Sequence, residues 1–347
     1  RRQRMKKEFF GKTKAGDASV YTLENANHMS VLISDFGATI VSINVPDAKG
    51  ELKDVVLGFN EAADYEKSTS FFGAAIGRNA NRIGKGKFEI NGQTYQLDIN
   101  DNDNNLHSGF AFSKDCLWTV EDYSAQRIAL SMDYPDGFQG FPGNVKITVT
   151  YTLTDDNALE IHYEGTPDKD TVMNMTNHSY FNLDGHETGS ILTHQVRIDA
   201  DAFTRTDAQL IPTGEIVDVT GTPMDFRTMK AIGQDIQADF QDLIDAGGYD
   251  QNWAVNAPGT LHVVAECVGT VSGIHMEVST DLPGMQMYTG NFVGEANGKA
   301  GASYGKFSGV CFETQYFPDS VNHDNFQSAI CKAGETYSTT TVYRFFC

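Results

Sequence analysis

Five polar segments stand out as places where this chain could do chemistry: Gly77-Arg78-Asn79-Ala80-Asn81-Arg82-Ile83, Asn104-Asn105-Leu106-His107, Asn177-His178-Ser179-Tyr180-Phe181-Asn182-Leu183, Gly248-Tyr249-Asp250-Gln251-Asn252 and Phe312-Glu313-Thr314-Gln315. Polar groups of this kind cost free energy to bury unless they are bonded or used. Together the segments offer arginine, two histidines, an aspartate and a glutamate. A carboxylate and an imidazole, whose unperturbed pKa is about 6.5, are the usual pair for moving protons near neutral pH.

Taken singly, each of these residues also has a plain structural explanation. His107 reads as a hydrogen-bonded loop residue and Arg82 as a salt-bridge partner. Glu313 lies among Val310, Cys311 and Phe312 in an expected strand, where it points either to solvent or, for a strong reason, inward. His178, beside Tyr180 and Phe181, is either a satisfied core histidine or a functional one. His162 falls on a wet strand face with Glu160 and Glu164. The remaining histidines show no metal-ligand spacing, so no metal is expected. Gly84-Lys85-Gly86-Lys87 resembles a phosphate loop only superficially, because Phe88 stands where Ser or Thr would hold Mg²⁺. Asn174-Met175-Thr176 and Asn177-His178-Ser179 match the glycosylation sequon, and neither is expected to be used.

The elements that must position these groups read as strands. Val145, Ile147, Val149, Tyr151 and Leu153 alternate with polar residues, and after a turn at Asp155 to Asn157 the alternation resumes at Leu159, Ile161 and Tyr163, which predicts a hairpin. A second hairpin is predicted over Lys87 to Leu97, with Asn91-Gly92 as its turn. Further strands are expected at Ser30 to Val45, Gln195 to Asp199, Leu261 to Cys267, Gly273 to Thr280, Met285 to Phe292, Gly309 to Thr314 and Thr336 to Phe346. Helix is expected only at Glu61 to Lys67, with Asn60 as a cap, and at Met229 to Ile244. This pattern predicts an all-β fold, an antiparallel β-sandwich with few short helices. No linker or repeat divides the chain, so residues 1–347 are expected to form one domain, with 1–8 a disordered, processing or expression remnant.

The 347 residues carry a formal charge of −20, which disfavours nucleic acid and anionic membranes as partners. No stretch approaches the roughly 18 apolar residues of a membrane helix, and no signal peptide is visible, so a cytoplasmic location is preferred over a periplasmic or secreted one. Five cysteines without a CxxC pair make a metal ribbon or a disulfide scaffold improbable.

The ordered set GRNANRI, NNLH, NHSYFNL, GYDQN, QMYTGNF and FETQYFPDSVNH, with a closing strand at Thr341 to Phe345, resembles the aldose 1-epimerase (galactose mutarotase) family from about Thr22 to Phe346. The resemblance implies a large galactose mutarotase-type antiparallel β-sandwich with an open cleft on one sheet. It implies Glu313 as general base and His178 as general acid, with Arg82, His107, Asp250 and Gln286 holding sugar hydroxyls or polarising the ring oxygen, and Asn81 and Tyr180 beside them. The activity implied is interconversion of the α and β anomers of a free aldohexose. That reaction needs two proton transfers and no cofactor, and its partner is a small neutral sugar, bound by a monomer or homodimer. Gln251 and Ser108 depart from the family pattern, which usually has His and Gly there, and put local hydrogen bonding and cleft shape in question. Phe110, Tyr180 and Phe317 are candidates for packing against a pyranose ring. Three other functions remain open at this point: a sugar-binding module, a glycoside hydrolase using Asp250 and Glu313, and a hexose-6-phosphate epimerase.

Overall fold

A computed structural model describes residues 5–347. Three antiparallel sheets hold most of the strands among the described residues. The first is a five-stranded meander, Lys6–Thr13, Gly16–Glu24, Ser30–Ser34, Thr39–Pro46 and Leu52–Asp54. The second has nine strands in the order Thr119–Tyr123, Arg127–Tyr134, Val145–Leu153, Ala158–Gly165, Tyr337–Phe346, His275–Thr280, His262–Val268, Gln195–Ile198 and Lys230–Ala231. The third has six, in the order Tyr180–Phe181, Val310–Gln315, Gly284–Tyr288, Asp250–Ala254, Ala202–Thr206 and Pro212–Asp218.

Alternation explains how these sheets meet. In Val145–Leu153 every second residue is buried, and Ile147, Val149 and Tyr151 join one apolar core with Tyr343 and Phe345 of the same sheet and Trp253, Met285, Met287 and Phe312 of the six-stranded sheet. Thr314 and Thr341 close the seam with a 2.6 Å hydroxyl contact, and the Tyr343 hydroxyl donates to the Phe312 carbonyl at 2.6 Å. Because side chains alternate along a strand, packing Phe312 and Thr314 inward turns Cys311, Glu313 and Gln315 to the opposite face, away from the nine-stranded sheet.

The all-β expectation holds, and both predicted hairpins form; Asn91 and Gly92 take φ of 53° and 78°, as a two-residue turn requires. Several details differ. The predicted strand at Ser30 to Val45 is two strands reversed at Asp35 to Ala38, and the one at Met285 to Phe292 ends at Tyr288. The helix expected at Glu61 to Lys67 is Ala62–Lys67, and Glu61, not Asn60, occupies its N-cap without a side-chain bond. The helix expected over Met229 to Ile244 is not one element. A strand, a 3-10 turn and loop fill it up to Phe240, and only Gln241–Ala246 is α-helical. The pairing of Lys230–Ala231 with Gln195 and Val196 takes the first residues into the sheet instead. Residues 1–4 of the basic start lie outside the described residues, whereas Lys6 to Glu8 open a strand paired with Val20 to Thr22. Among the described residues, no helix is long and apolar enough to cross a membrane.

Candidate active site

The outward face of the six-stranded sheet forms the floor of a cavity of about 170 Å³. Glu313 lines it and is only 3% exposed, so its carboxyl faces the cavity and not bulk solvent. His178 is 5% exposed and sits just before the short strand Tyr180–Phe181, which pairs with Val310 and Cys311. That pairing brings the histidine's Nε2 to 3.4 Å from Glu313 Oε1. Residues 135 apart in sequence thus meet because their strands are neighbours.

The other predicted residues gather around this pair. Arg82, His107, Asp250, Asn81 and Tyr180 all line the cavity. Arg82 and His107 come from two short segments that pair antiparallel, Arg82–Ile83 with Asn105–Leu106. Arg82 donates through Nε to Asp101 at 2.8 Å, so it is a salt-bridge partner and a cleft residue at once. The main-chain N–H of Asn81 donates to His107 Nδ1 at 3.0 Å. A neutral imidazole that accepts at Nδ1 carries its hydrogen on Nε2 and is a donor there. Burial, His178 and Arg82 all push His107 well below its ordinary pKa, which keeps it in this neutral form.

Gln286 is placed differently from the others: it lies behind the cavity lining and donates to Asp250 Oδ1 at 2.8 Å. Gln315, which stands in the fifth polar segment without an expected role, completes the support. It donates to Gln286 Oε1 at 2.9 Å and to Asn252 Oδ1 at 3.0 Å, and accepts from Asn81 Nδ2 at 3.4 Å. The register Gln286 opposite both Asn252 and Glu313 makes this network a property of the sheet. Only the alternation Cys311, Glu313, Gln315 on one strand could have pointed to Gln315 from sequence.

Aromatic lining differs from the expectation except at Tyr180. Phe110 is 67% exposed and outside the lining, and Phe317 packs on Phe326 with centroids 5.2 Å apart. Phe71, Tyr288 and Phe292 line the cavity instead. Phe71 takes a φ of 62°, a left-handed conformation unusual for a bulky side chain. It is held edge-on to His107 and Phe112, with centroids 4.8 Å away in each case, and stacked on His178 at 5.6 Å. No local pattern in Ser68 to Gly73 announces this. Tyr180 also stacks on His178, at 5.1 Å, while its hydroxyl donates to the Ser70 carbonyl.

Both departures from the family pattern have a local structural account. Gln251 is fully buried on the face away from the cleft, where its amide contacts the Thr206 hydroxyl at 3.2 Å and the Asp242 carbonyl at 3.4 Å. Ser108, at φ 73°, both accepts from the Asn79 N–H and donates to the Asn79 carbonyl at 2.9 Å, pinning the segment that carries Asn81. Arg78 of the same segment is structural: fully buried, it donates to the carbonyls of Pro142, Gly143, Tyr134 and Pro135. Asn174 and Asn177, the two sequon asparagines, are likewise buried and bonded internally.

The electrostatics of the pair reverse a simple expectation. Isolated, Glu313 would be ionised and His178 partly protonated at neutral pH. Burial, with Asp250 adding, pushes Glu313 well above the usual carboxylate range, and Arg82 opposes this. Burial pushes His178 down to about 4. Desolvation disfavours whichever form is charged, so burial favours the neutral pair, carboxyl and imidazole, over the ionised one. His107, His178 and Glu313 lie close enough together for a cation to be considered. His107 argues against one, because a ring that already accepts at Nδ1 would have to become an imidazolate to ligate through Nε2.

A polar cleft on an antiparallel β-sandwich, with a buried carboxyl and imidazole side by side and hydrogen-bonding groups around them, has the composition of an acid/base site. The comparisons specify which. Residues 19–344 match the family model described as aldose 1-epimerase. The galactose mutarotase of Mus musculus is 42% identical over 97% of each chain, and the aldose 1-epimerase of Haemophilus influenzae is 39% identical, covering 93% of this chain and 94% of that one. The crystal structure of a GalM/aldose epimerase homologue from C. elegans superposes with a TM-score of 0.87 at 28% identity, covering 95% of this chain and 99% of that one. The chain belongs to the aldose 1-epimerase family and is an isomerase.

Proposed function

We propose that this enzyme interconverts the α and β anomers of a free aldohexose, with Glu313 as base and His178 as acid. The observation that carries this reading is the 3.4 Å approach of His178 Nε2 to Glu313 Oε1 at the floor of the cleft of an aldose 1-epimerase family member. A cyclic hemiacetal changes anomer by opening, turning its C1 group over and closing. Glu313 takes the proton of the C1 hydroxyl as the carbonyl forms, while His178 gives its Nε2 proton to the departing ring oxygen O5. After rotation about C1–C2, Glu313 returns its proton to O1 and His178 retakes the one on O5. The pair begins and ends with the same total number of protons, so no external acid, base or cofactor is consumed.

Sugar binding supports the active arrangement electrostatically. The working form is the charge-separated one, carboxylate and imidazolium, which burial by itself disfavours. Arg82 lowers the pKa of Glu313 and so favours its carboxylate, and sugar hydroxyls would add hydrogen bonds to that anion. His107 offers an Nε2–H donor and Asp250, steadied by Gln286, an acceptor, which together suit a diol of the ring. Tyr288, Phe292 and Leu210 at the lining provide apolar surface for the faces of a pyranose. We read the chain as one domain, since a single apolar cluster runs from Tyr21 to Phe345 through all three large sheets.

Polarimetry of freshly dissolved α-D-glucose and α-D-galactose tests the reading. Faster decay to the unchanged final rotation is expected with both or one of them. Decay at the uncatalysed rate with folded protein would overturn it in favour of sugar binding without turnover, or of a phosphorylated substrate.

A further inference from the structure

Proton bookkeeping for His178 places a demand on its other ring nitrogen. The imidazolium loses its Nε2–H bond as the O5–H bond forms, leaving the electron pair on Nε2. The hydrogen of the resulting neutral ring must therefore be on Nδ1, or Nε2 could not retake the proton when the ring closes. The opposite neutral tautomer, with hydrogen only on Nε2, could give its proton only by becoming an imidazolate. Throughout the cycle Nδ1–H thus needs an acceptor. The side chain at hydrogen-bonding distance from Nδ1 among the described residues is Cys311, with Sγ 3.5 Å away and the residue fully buried.

We propose that Cys311 is a positioning residue for the acid step: its sulfur accepts the Nδ1–H of His178 and holds the tautomer whose Nε2 can give and retake the O5 proton. The inference rests on the reading of His178 as the acid. Strand geometry makes the arrangement economical, because Cys311 and Glu313 are two apart on Val310–Gln315 and share its cleft face, so one strand carries both the base and the partner of the acid. Sulfur is a weak acceptor, and that weakness suits the task. A carboxylate on Nδ1 would stabilise the imidazolium and hold back its proton, whereas an uncharged sulfur orients the ring and leaves it acidic. Burial, with Glu313 and Asp250 adding, pushes the Cys311 thiol well above its ordinary range, so it stays neutral. The main-chain carbonyl of His178 adds a smaller contribution favouring the protonated ring.

Nitrogen-15 NMR of the full chain labelled at histidine, with His178 assigned by its loss in His178→Asn, tests this at neutral pH. The expected spectrum shows His178 neutral with its hydrogen on Nδ1. Cys311→Ala is expected to mix the tautomers and lower kcat about tenfold with KM little changed, and Cys311→Ser to recover part of both. A role in packing alone would lower stability without moving the tautomer signals. A wild-type ring with hydrogen only on Nε2 overturns the proposal without need of any variant, and so does unchanged kcat in Cys311→Ala. Should Cys311→Ala not fold, the wild-type spectrum and the Cys311→Ser enzyme decide. Near-normal turnover by His178→Asn would remove the acid reading and this proposal together; collapsed turnover in His178→Asn beside an unaffected Cys311→Ala would remove this proposal alone.

Discussion

Glu313 and His178 are each displaced from their ordinary protonation by the same cause, loss of water, and this makes two outcomes predictable. Glu313→Gln and His178→Asn should each lower kcat by at least about 10²-fold, the range of a single positioned proton-transfer group. Glu313→Gln should nevertheless melt at the same temperature as the parent or higher. The sign follows from linkage: the folded pKa of Glu313 is raised above its unfolded value, so stability falls as pH rises through that interval and the penalty is full above it. The variant's advantage in thermal scans should therefore grow with pH. The second outcome concerns kcat/KM, which reports the free enzyme. Activity requires one proton on the pair. Below about pH 4 the lowered His178 takes up a second proton, and as pH rises through the raised pKa of Glu313 the pair loses its only one. A bell with its acid limb near 4 is expected, its two limbs belonging to the pair jointly. An acid limb near 6.5 would show an unperturbed histidine and contradict the burial argument.

Strands and their register decide which side chains meet. The order Tyr180–Phe181, Val310–Gln315, Gly284–Tyr288, Asp250–Ala254 places four site-bearing segments side by side, and the amides of Gln315 and Gln286 tie three of them together. Gln315→Leu would strand the amide groups of Asn252 and Gln286. Each buried polar group left unpaired costs about 1–3 kcal/mol, so urea unfolding should show a loss of that order, and KM should rise as Asp250 loses its alignment. Arg78→Lys makes a second test of segment positioning. A lysine cannot satisfy four carbonyls, and each buried carbonyl left unpaired costs about 1–3 kcal/mol. Unfolding should register this loss even though Arg78 lies outside the cleft lining.

Over the entire surface the formal charge of −20 sets long-range behaviour. A neutral sugar feels no such field, so kcat/KM for glucose or galactose should not vary with ionic strength. Turnover of glucose 6-phosphate should be weaker at low salt and improve as salt screens the repulsion, since the Debye length shrinks from about 30 Å at 0.01 M to about 10 Å at 0.1 M. A hexose phosphate preferred over the free sugar at low salt would point to the phosphorylated substrate instead. The five cysteines are all free thiols, so the thermal midpoint should be the same with and without reductant.

Periodicity and chemical type were legible in the chain: the all-β architecture from alternation such as Val145 to Leu153, the Asn91-Gly92 turn, and the family from six ordered motifs. Chemical type alone set Glu313, His178, Arg82, His107 and Asp250 apart as polar residues in unusual segments, and the family resemblance implied their roles. What lay beyond reach depends on neighbours distant in sequence. Met229 to Ile244 carries helical periodicity, yet pairing with Gln195 and Val196 draws its start into a sheet. Phe71 and Gln315 have ordinary local surroundings and acquire meaning only when His178 or Gln286 arrives from another strand. Gln251 departs from the family pattern beside Asp250, and only strand alternation shows that it lies on the other face. The protonation of Glu313 and His178 was least accessible of all, because desolvation is exerted by everything packed around a group and by nothing adjacent to it in the chain.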